Sequence, residues 1–172
     1  MYIEIKRWVA ISGSRETNAE VEKQVRESVR KIITSGGGIV TGGALGVDYF
    51  ATDETFIIDP KATALKIFLP TTLKIYAAHY RRRATEGVVP PENAEILIAQ
   101  LEKVRTTNPN VLIENLQEMV VDKRTYFQRN TAVLDAATEL LAFQVYKSPG
   151  TQDTIDKAKD RGLSVKVYEF KI

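Results

Sequence analysis

Short apolar runs alternate with longer amphipathic segments along this 172-residue chain, and this alternation narrows its possible folds more than any other feature. The apolar runs predict β-strands at 7–12, 39–41, 65–69, 140–146 and 164–170. The amphipathic segments predict a first helix after residue 17 and further helices at 47–55, 73–85, 92–105, 124–138 and 151–161. Strands separated by helices of this length are joined by right-handed crossovers and become parallel. We therefore predict an α/β fold, a doubly wound, mostly parallel sheet with helices on both faces.

The first helix carries a start signal and a stop signal. Thr17-Asn18-Ala19-Glu20 has the spacing of a capping box, which predicts Thr17 as the N-cap, and the glycines at 36–38 end the helix. The middle of the chain is less regular, and 111–116 is compatible with a short strand or with the start of a helix. We expect a single domain over 1–172, with an irregular helical insertion at about 85–123.

Composition removes several classes of function. The chain has no cysteine, which excludes disulfides and thiolate sites, and its single histidine, His79, argues against a histidine metal centre or a Ser-His-Asp triad. Its apolar runs fall far short of the roughly 18 residues that a membrane span needs, and its N-terminus lacks the plan of a signal peptide. We expect a cytoplasmic protein with no metal, no cofactor and no membrane contact. The formal net charge of +2 means that a polyanion must bind at a local patch.

Four polar segments are predicted to meet at the carboxyl edge of the sheet, where open parallel sheets bind their ligands. They are Gly13-Ser14-Arg15, the segment 41–48, Arg129-Asn130 and the segment 148–151. The start of a helix presents unpaired amides and the positive end of its dipole, and glycine lets the backbone approach a phosphate closely. The coincidence of these segments predicts a phosphate-binding pocket.

Each segment also has a purely structural explanation. Ser14 and Arg15 could cap the first helix, the GGALG turn could be tight without a ligand, and Asp48 could complement the dipole of its helix. Thr151 is a natural N-cap. The sequence leaves these alternatives open.

Arg129 lies near the start of an otherwise apolar helix. Its guanidinium group offers a planar fork for phosphate or carboxylate. The alternative is a salt bridge to a nearby acid such as Asp122.

The run Arg81-Arg82-Arg83 follows Tyr80 and combines positive charge with a ring that can stack on a base. This composition suits single-stranded nucleic acid, so the four residues are possible nucleic-acid contacts. The alternative is one solvated helix face.

Four motifs in order resemble a known superfamily. They are GSR, SGGGIVTGGALGVD, FQRNTAVLDAAT and SPGTQDTIDKAKDRGLSVKVY, and together they resemble the SLOG superfamily. The resemblance is closest to the Rossmann-like domain of the DprA/Smf (DNA-processing protein A) family, which is related to the Lonely Guy (LOG) nucleotide hydrolases. It covers about 1–80 and 124–170. It implies a Rossmann-like fold, a surface that binds a nucleotide or single-stranded nucleic acid, a possible place in DNA processing or recombination, and a homo-oligomer, expected to be a dimer.

Carried over position by position, the resemblance implies which residues bind nucleotide or phosphate. They come from the turns after three strands and from the RN pair: Gly13, Ser14, Arg15, Gly42, Gly43, Ala44, Gly46, Asp48, Arg129, Asn130, Gly150, Thr151 and Thr154. In this set Asp48 anchors the glycine loop.

The sequence departs from the LOG hydrolases at one position. Thr154 stands where their motif has a glutamate, and a threonine cannot activate water or stabilise an oxocarbenium-like centre. We therefore expect a binding protein without catalytic residues. The alternatives are a nucleoside monophosphate phosphoribohydrolase that uses Asp48 or Glu54 instead, and a non-catalytic oligomeric interaction protein that uses the apolar stripe of the helix at 92–105.

Overall fold

A computed structural model describes residues 7–172, whose six strands form one sheet with every neighbouring pair parallel. The strands are β1 (Trp8–Gly13), β2 (Gly38–Thr41), β3 (Leu65–Phe68), β4 (Leu112–Ile113), β5 (Glu139–Val145) and β6 (Ser164–Phe170). Their order across the sheet is β4-β3-β2-β1-β5-β6. The predicted doubly wound, parallel α/β fold is confirmed.

Helices cover both faces of this sheet. They are α1 (Ala19–Thr34), α2 (Val47–Ile58), α3 (Leu73–Thr85), α4 (Pro91–Thr107), α5 (Lys123–Asp135) and α6 (Pro149–Asp160). Successive side chains of a strand point to opposite faces, so Val9 and Ile11 of β1 enter a core with α1 to α4, whereas Ala10 enters a second core with α5 and α6. Strands that are apolar on both sides are what a sheet sandwiched between helices requires.

Two predicted helix starts are wrong by one or two residues. Asn18 caps α1, because its Oδ1 accepts a hydrogen bond from the Val21 amide at 3.0 Å, and Thr17 lies outside the helix. Helix α6 begins at Pro149, which suits the first helical position because proline has no amide hydrogen to leave unpaired there. Thr151 is therefore inside the first turn and is not the N-cap.

The segment between 85 and 123 contains a regular unit. Helix α4 leads into β4, which pairs with β3 through Ile67–Leu112 and Phe68–Ile113 and extends the sheet at its edge. The ambiguous segment 111–116 therefore forms a strand. In the apolar stripe of α4, Leu97, Leu101 and Val104 are buried in the core of the chain itself, whereas Ile96 is 47% exposed, so the use of this helix as an oligomer surface stays a prediction.

Helices α1 and α2 are joined by a buried ion pair. The side chain of Glu54 on α2 is only 3% exposed, and its carboxylate accepts hydrogen bonds from Arg26 Nη1 at 3.1 Å and from Arg30 Nε at 2.8 Å. A buried carboxylate is costly unless it is paired, so these two arginines of α1 determine how α2 packs.

We expect Arg26→Met to lower the free energy of unfolding by about 2–3 kcal/mol, because Glu54 then keeps only a largely exposed partner. The double variant Arg26→Met, Glu54→Met has no uncompensated buried charge and should be more stable than the single variant. Urea denaturation of both proteins measures this order. A double variant less stable than Arg26→Met would contradict it.

Candidate functional site

The order of the strands opens a crevice beside β1. From β1 the chain adds β2, β3 and β4 on one side and then crosses to add β5 and β6 on the other. The turn after β1 leads to α1 on one face, and the turn after β5 leads to α6 on the opposite face, so the two turns separate. A cavity of about 530 Å³, here called the switch-point cavity, lies between them.

Most of the residues predicted from the sequence line this cavity. They are Gly13, Ser14, Arg15, Gly42, Ala44, Asp48, Arg129, Asn130, Gly150, Thr151 and Thr154. Gly43 and Gly46 lie outside the lining. The carbonyl of Gly43 accepts a hydrogen bond from the Tyr76 hydroxyl at 3.1 Å, and Gly46 packs on the turn after β1.

Two glycines let the loops approach one another. Gly46 has a φ of 80°, and a Cβ at this position would lie 2.4 Å from the carbonyl oxygen of Ser14. A Cβ on Gly42 would lie 2.5 Å from Nη1 of Arg129. The turn after β2 thus packs directly on the turn after β1 and on the guanidinium group of Arg129.

Asp48 holds the glycine turn from inside. It is 6% exposed, and its Oδ2 accepts a hydrogen bond from the Ala44 amide at 3.2 Å. Burial raises the pKa of Asp48 to about 6, although the charge of Arg129 and the amides of Ala44 and Gly42 act in the opposite direction. The Asp48 carboxylate therefore stabilises the glycine turn by accepting a hydrogen bond from its backbone.

The amides of the glycine turn are largely engaged within the protein. Gly43 N donates to Thr41 Oγ1 at 3.4 Å, Ala44 N donates to Asp48, and Val47 N donates to the Ser14 carbonyl at 3.3 Å. Helix α6 differs, because the first-turn amides of Gly150 and Thr151 have no intrahelical acceptor and the side chain of Ser148 does not cap them. The amides of Gly150 and Thr151 at the start of α6 are therefore available to an anion.

Arg129 is held by three contacts. Its Nη1 donates to the Gly42 carbonyl, its Nε donates to Asn130 Oδ1 at 3.1 Å, and its Cζ lies 5.2 Å from the centre of the Tyr126 ring. The proposed salt bridge to Asp122 does not form, because Asp122 caps α5 by accepting from the Thr125 amide at 2.9 Å. Arg129 thus places a positive charge beside the glycine turn.

Asn130 is held in turn by α6. Its Nδ2 donates to Asp153 Oδ2 at 3.1 Å, and Lys157 Nζ donates to the same oxygen at 2.9 Å. This chain of contacts positions the amide group that orients Arg129.

The hydroxyl groups of two serines connect the turns after β1 and β5. Ser14 Oγ lies 2.8 Å from Ser148 Oγ and accepts from the Val145 amide at 2.9 Å. Ser148 Oγ donates to Thr151 Oγ1 at 2.8 Å, and Thr154 Oγ1 donates to the Gly150 carbonyl at 3.2 Å. Ser14 therefore joins two turns and does not cap α1.

Arg15 lies at the mouth of the switch-point cavity. Its side chain is exposed, and within residues 7–172 it makes no hydrogen bond or ion pair. Arg15 and Arg129 reach the same cavity from different elements, which brings two positive charges to one site.

Sequence reasoning missed one wall of the cavity. Lys123, Tyr126 and Phe127 of α5 line it together with Asn130. These positions are related by the helical intervals of three, four and seven residues, so they share the face that carries Asn130. This helical spacing from Asn130 is the sequence signal that identifies the three residues as part of the site. The rings give the cavity an apolar side opposite the polar turns.

The three arginines of the α3 run do not line this cavity. Arg81 pairs with Glu95 at 2.8 Å and Arg83 with Glu86 at 2.7 Å, while Arg82 lies 3.9 Å from Glu86. Tyr80 is 2% exposed and belongs to the core, where it reaches the cavity wall. The arginines lie on an exposed helix face that Tyr80 does not share, and their contact with nucleic acid stays a prediction.

The alternative acids are poorly placed for hydrolysis. Glu54 faces α1 and does not line the cavity, so the suggestion that it replaces the missing glutamate is wrong. Asp48 is the one carboxylate among the lining residues that the structure describes. Over 7–172 there is no group of three or more potential metal-ligating side chains, and no helix there is long and apolar enough to cross a membrane.

Comparison with known proteins supports the resemblance seen in the motifs. A family model described as DNA recombination-mediator protein A matches residues 2–172, including the segment 85–123 that the motifs did not cover. A search of curated proteins finds no match.

Two solved structures share the fold. One is DNA processing protein A from Helicobacter pylori, in a study of its single-stranded DNA binding mode, with a TM-score of 0.69 and 19% identity. The alignment covers 95% of this chain and 65% of that one. The other is DNA processing protein A from Streptococcus pneumoniae, with a TM-score of 0.61, 17% identity and coverage of 94% and 50%. This chain spans less than two thirds of either relative.

Asp48 should make stability depend on pH. Because its folded pKa of about 6 exceeds its ordinary value of 3.8, its contribution to stability is present below pH 4 and is lost as the pH rises through 6. Asp48→Asn keeps an acceptor for Ala44 and removes the titration. We expect the free energy of unfolding of the variant, relative to the natural protein, to rise by about 2–3 kcal/mol between pH 4 and pH 7. Urea denaturation across this range measures it, and a constant difference would contradict the assignment.

Proposed function

This chain belongs to the family of DNA recombination-mediator protein A, and from that premise we propose that its switch-point cavity binds single-stranded DNA. The observation that carries the proposal is the convergence of Arg15, Arg129 and the free amides of α6 on one cavity. The Helicobacter pylori protein of the same fold was studied for the way in which it binds single-stranded DNA. The chain would then act in DNA processing or recombination.

The proposed phosphate position is the polar side of the cavity. The amides of Gly150 and Thr151 and the positive end of the α6 dipole attract an anion, and Arg15 adds an exposed guanidinium group at the mouth. The amides of the glycine turn do not bind the phosphate in this proposal, because Asp48 and neighbouring residues accept their hydrogen bonds. The turn acts as the support that holds Arg129.

The proposed base position is the apolar side of the cavity. Tyr126 and Phe127 line this side, and the ammonium groups of Lys123 and Lys157 lie 5.4 Å and 5.2 Å from the centre of the Phe127 ring. Stacking of bases on aromatic rings is typical of proteins that bind single strands. A cavity of this size suits one unstacked nucleotide, since small-ligand sites measure roughly 300–1,000 Å³. Bases paired within a duplex cannot enter it.

We do not propose a phosphoribohydrolase. Thr154 donates to a backbone carbonyl, and Asp48 is buried and bonded to the turn that it supports. The proposal therefore gives both side chains a structural role.

Replacement of the two cavity arginines should weaken DNA binding. We expect Arg15→Ala to lower the affinity for a fluorescent oligothymidylate by about tenfold, because one charge-assisted phosphate contact is lost. The slope of log K against log salt should fall by about 0.7. Fluorescence anisotropy at several salt concentrations measures both quantities.

The control is Arg81→Ala, which removes an exposed arginine that does not line the cavity. It should retain the affinity and salt slope of the natural protein. Thermal melting verifies that every variant is folded. A folded double variant, Arg15→Ala with Arg129→Ala, that binds as tightly as the natural protein would refute the proposed function.

A further inference from the structure

A second cavity of about 570 Å³, here called the neighbouring cavity, lies on the other side of the turn after β1. Its walls come from Tyr49 and Phe50 of α2, from Val88 and Val89 between α3 and α4, and from Ile96 of α4. None of these five residues belongs to the lining of the switch-point cavity. The proposed function therefore leaves this cavity unexplained.

The two cavities meet at three residues. Ser14, Arg15 and Ser148 line both of them. The hydroxyl groups of the two serines lie 2.8 Å apart and form the boundary, while Arg15 is exposed there and makes no ion pair within 7–172. A guanidinium group in this position can contact a phosphate that connects the contents of one cavity to the contents of the other.

The neighbouring cavity has the surface chemistry of a base site. Tyr49 and Phe50 both line the cavity, and their rings lie 6.3 Å apart at an angle of 78°. Val88 and Ile96 are large apolar side chains that are 49% and 47% exposed, and both line the cavity. A soluble protein that exposes apolar side chains together in a concave site usually binds a ligand there.

Charge decides which part of a nucleotide fits. Glu16 lines the neighbouring cavity and repels a phosphate, whereas Arg15 at the boundary attracts one. The side chain of Asn93 also lines the cavity and offers both a donor and an acceptor to a base edge. The phosphate is thus favoured at the boundary and the base beyond it.

We propose that the neighbouring cavity holds the base of a second, adjacent nucleotide of the bound strand, with the connecting phosphate at Arg15. This inference rests on the proposed function and assigns it a minimum ligand of two nucleotides. The continuity of the two cavities favours this occupant, because Ser14, Arg15 and Ser148 line both of them and a strand is a ligand that can extend from one into the other.

The test compares thymidine 5′-monophosphate with the 5′-phosphorylated dithymidylate by isothermal titration calorimetry on the full chain. The second nucleotide should raise the affinity of the natural protein by about tenfold or more, since a stacked base contributes on that scale. In Ile96→Asp and in Val88→Asp this gain should fall below about threefold, because a carboxylate replaces part of the apolar wall.

The matched control is Ile57→Asp. Ile57 is 66% exposed on α2 and lines neither cavity, so the variant introduces the same charge outside the site and should keep the full gain. Because all three positions are exposed, the variants should keep the melting temperature of the natural protein to within a few degrees.

The outcomes separate this inference from the proposed function. If the monophosphate binds in an Arg129-dependent manner but the gain persists in both Ile96→Asp and Val88→Asp, the second base site is wrong and the first site stands. If the natural protein binds neither ligand nor a longer oligothymidylate, the proposed function fails and this inference fails with it.

Discussion

The reversal of strand order at β1 is the constraint on which the rest of the molecule depends. Because β2 and β5 flank the same central strand, the turns after β1 and β5 leave toward opposite faces and cannot close over the sheet edge. The space between them becomes the switch-point cavity. The polar residues that line this cavity are far apart in the sequence, and the strand order brings them together at one edge of the sheet.

Two charged side chains convert that space into a rigid site. Asp48 accepts a hydrogen bond from the Ala44 amide of the glycine turn, and Arg129 donates to the carbonyl of Gly42 on the same turn. Asn130 connects Arg129 to α6 through Asp153. The glycine turn, α5 and α6 are therefore joined by polar contacts. Rigid support of this kind leaves Arg15 and the start of α6 available for a ligand.

The sequence predicted the fold because its periodic signals are long and mutually consistent. The alternation of strands and helices predicts a parallel sheet, and the ends of the predicted strands identify the turns that line the cavity. Helix starts were less certain, since Thr17 and Asn18 are both good N-cap residues and only the backbone conformation distinguishes them.

The remaining errors concern side chains whose surroundings come from distant segments. Tyr126 and Phe127 were missed because aromatic residues on a helix usually pack in a core. Tyr80 is separated from the adjacent arginines by helical geometry, since it shares the buried face of Tyr76. The partners of Arg129 and Glu54 lie in elements that no local pattern connects to them.

A crystal structure with a short oligothymidylate would show whether a phosphate of single-stranded DNA enters the switch-point cavity. We expect a phosphate oxygen within hydrogen-bonding distance of Arg15 or of the amides of Gly150 and Thr151, with a base against Tyr126. A strand that lies along Arg81, Arg82 and Arg83 and avoids the cavity would contradict the proposed function.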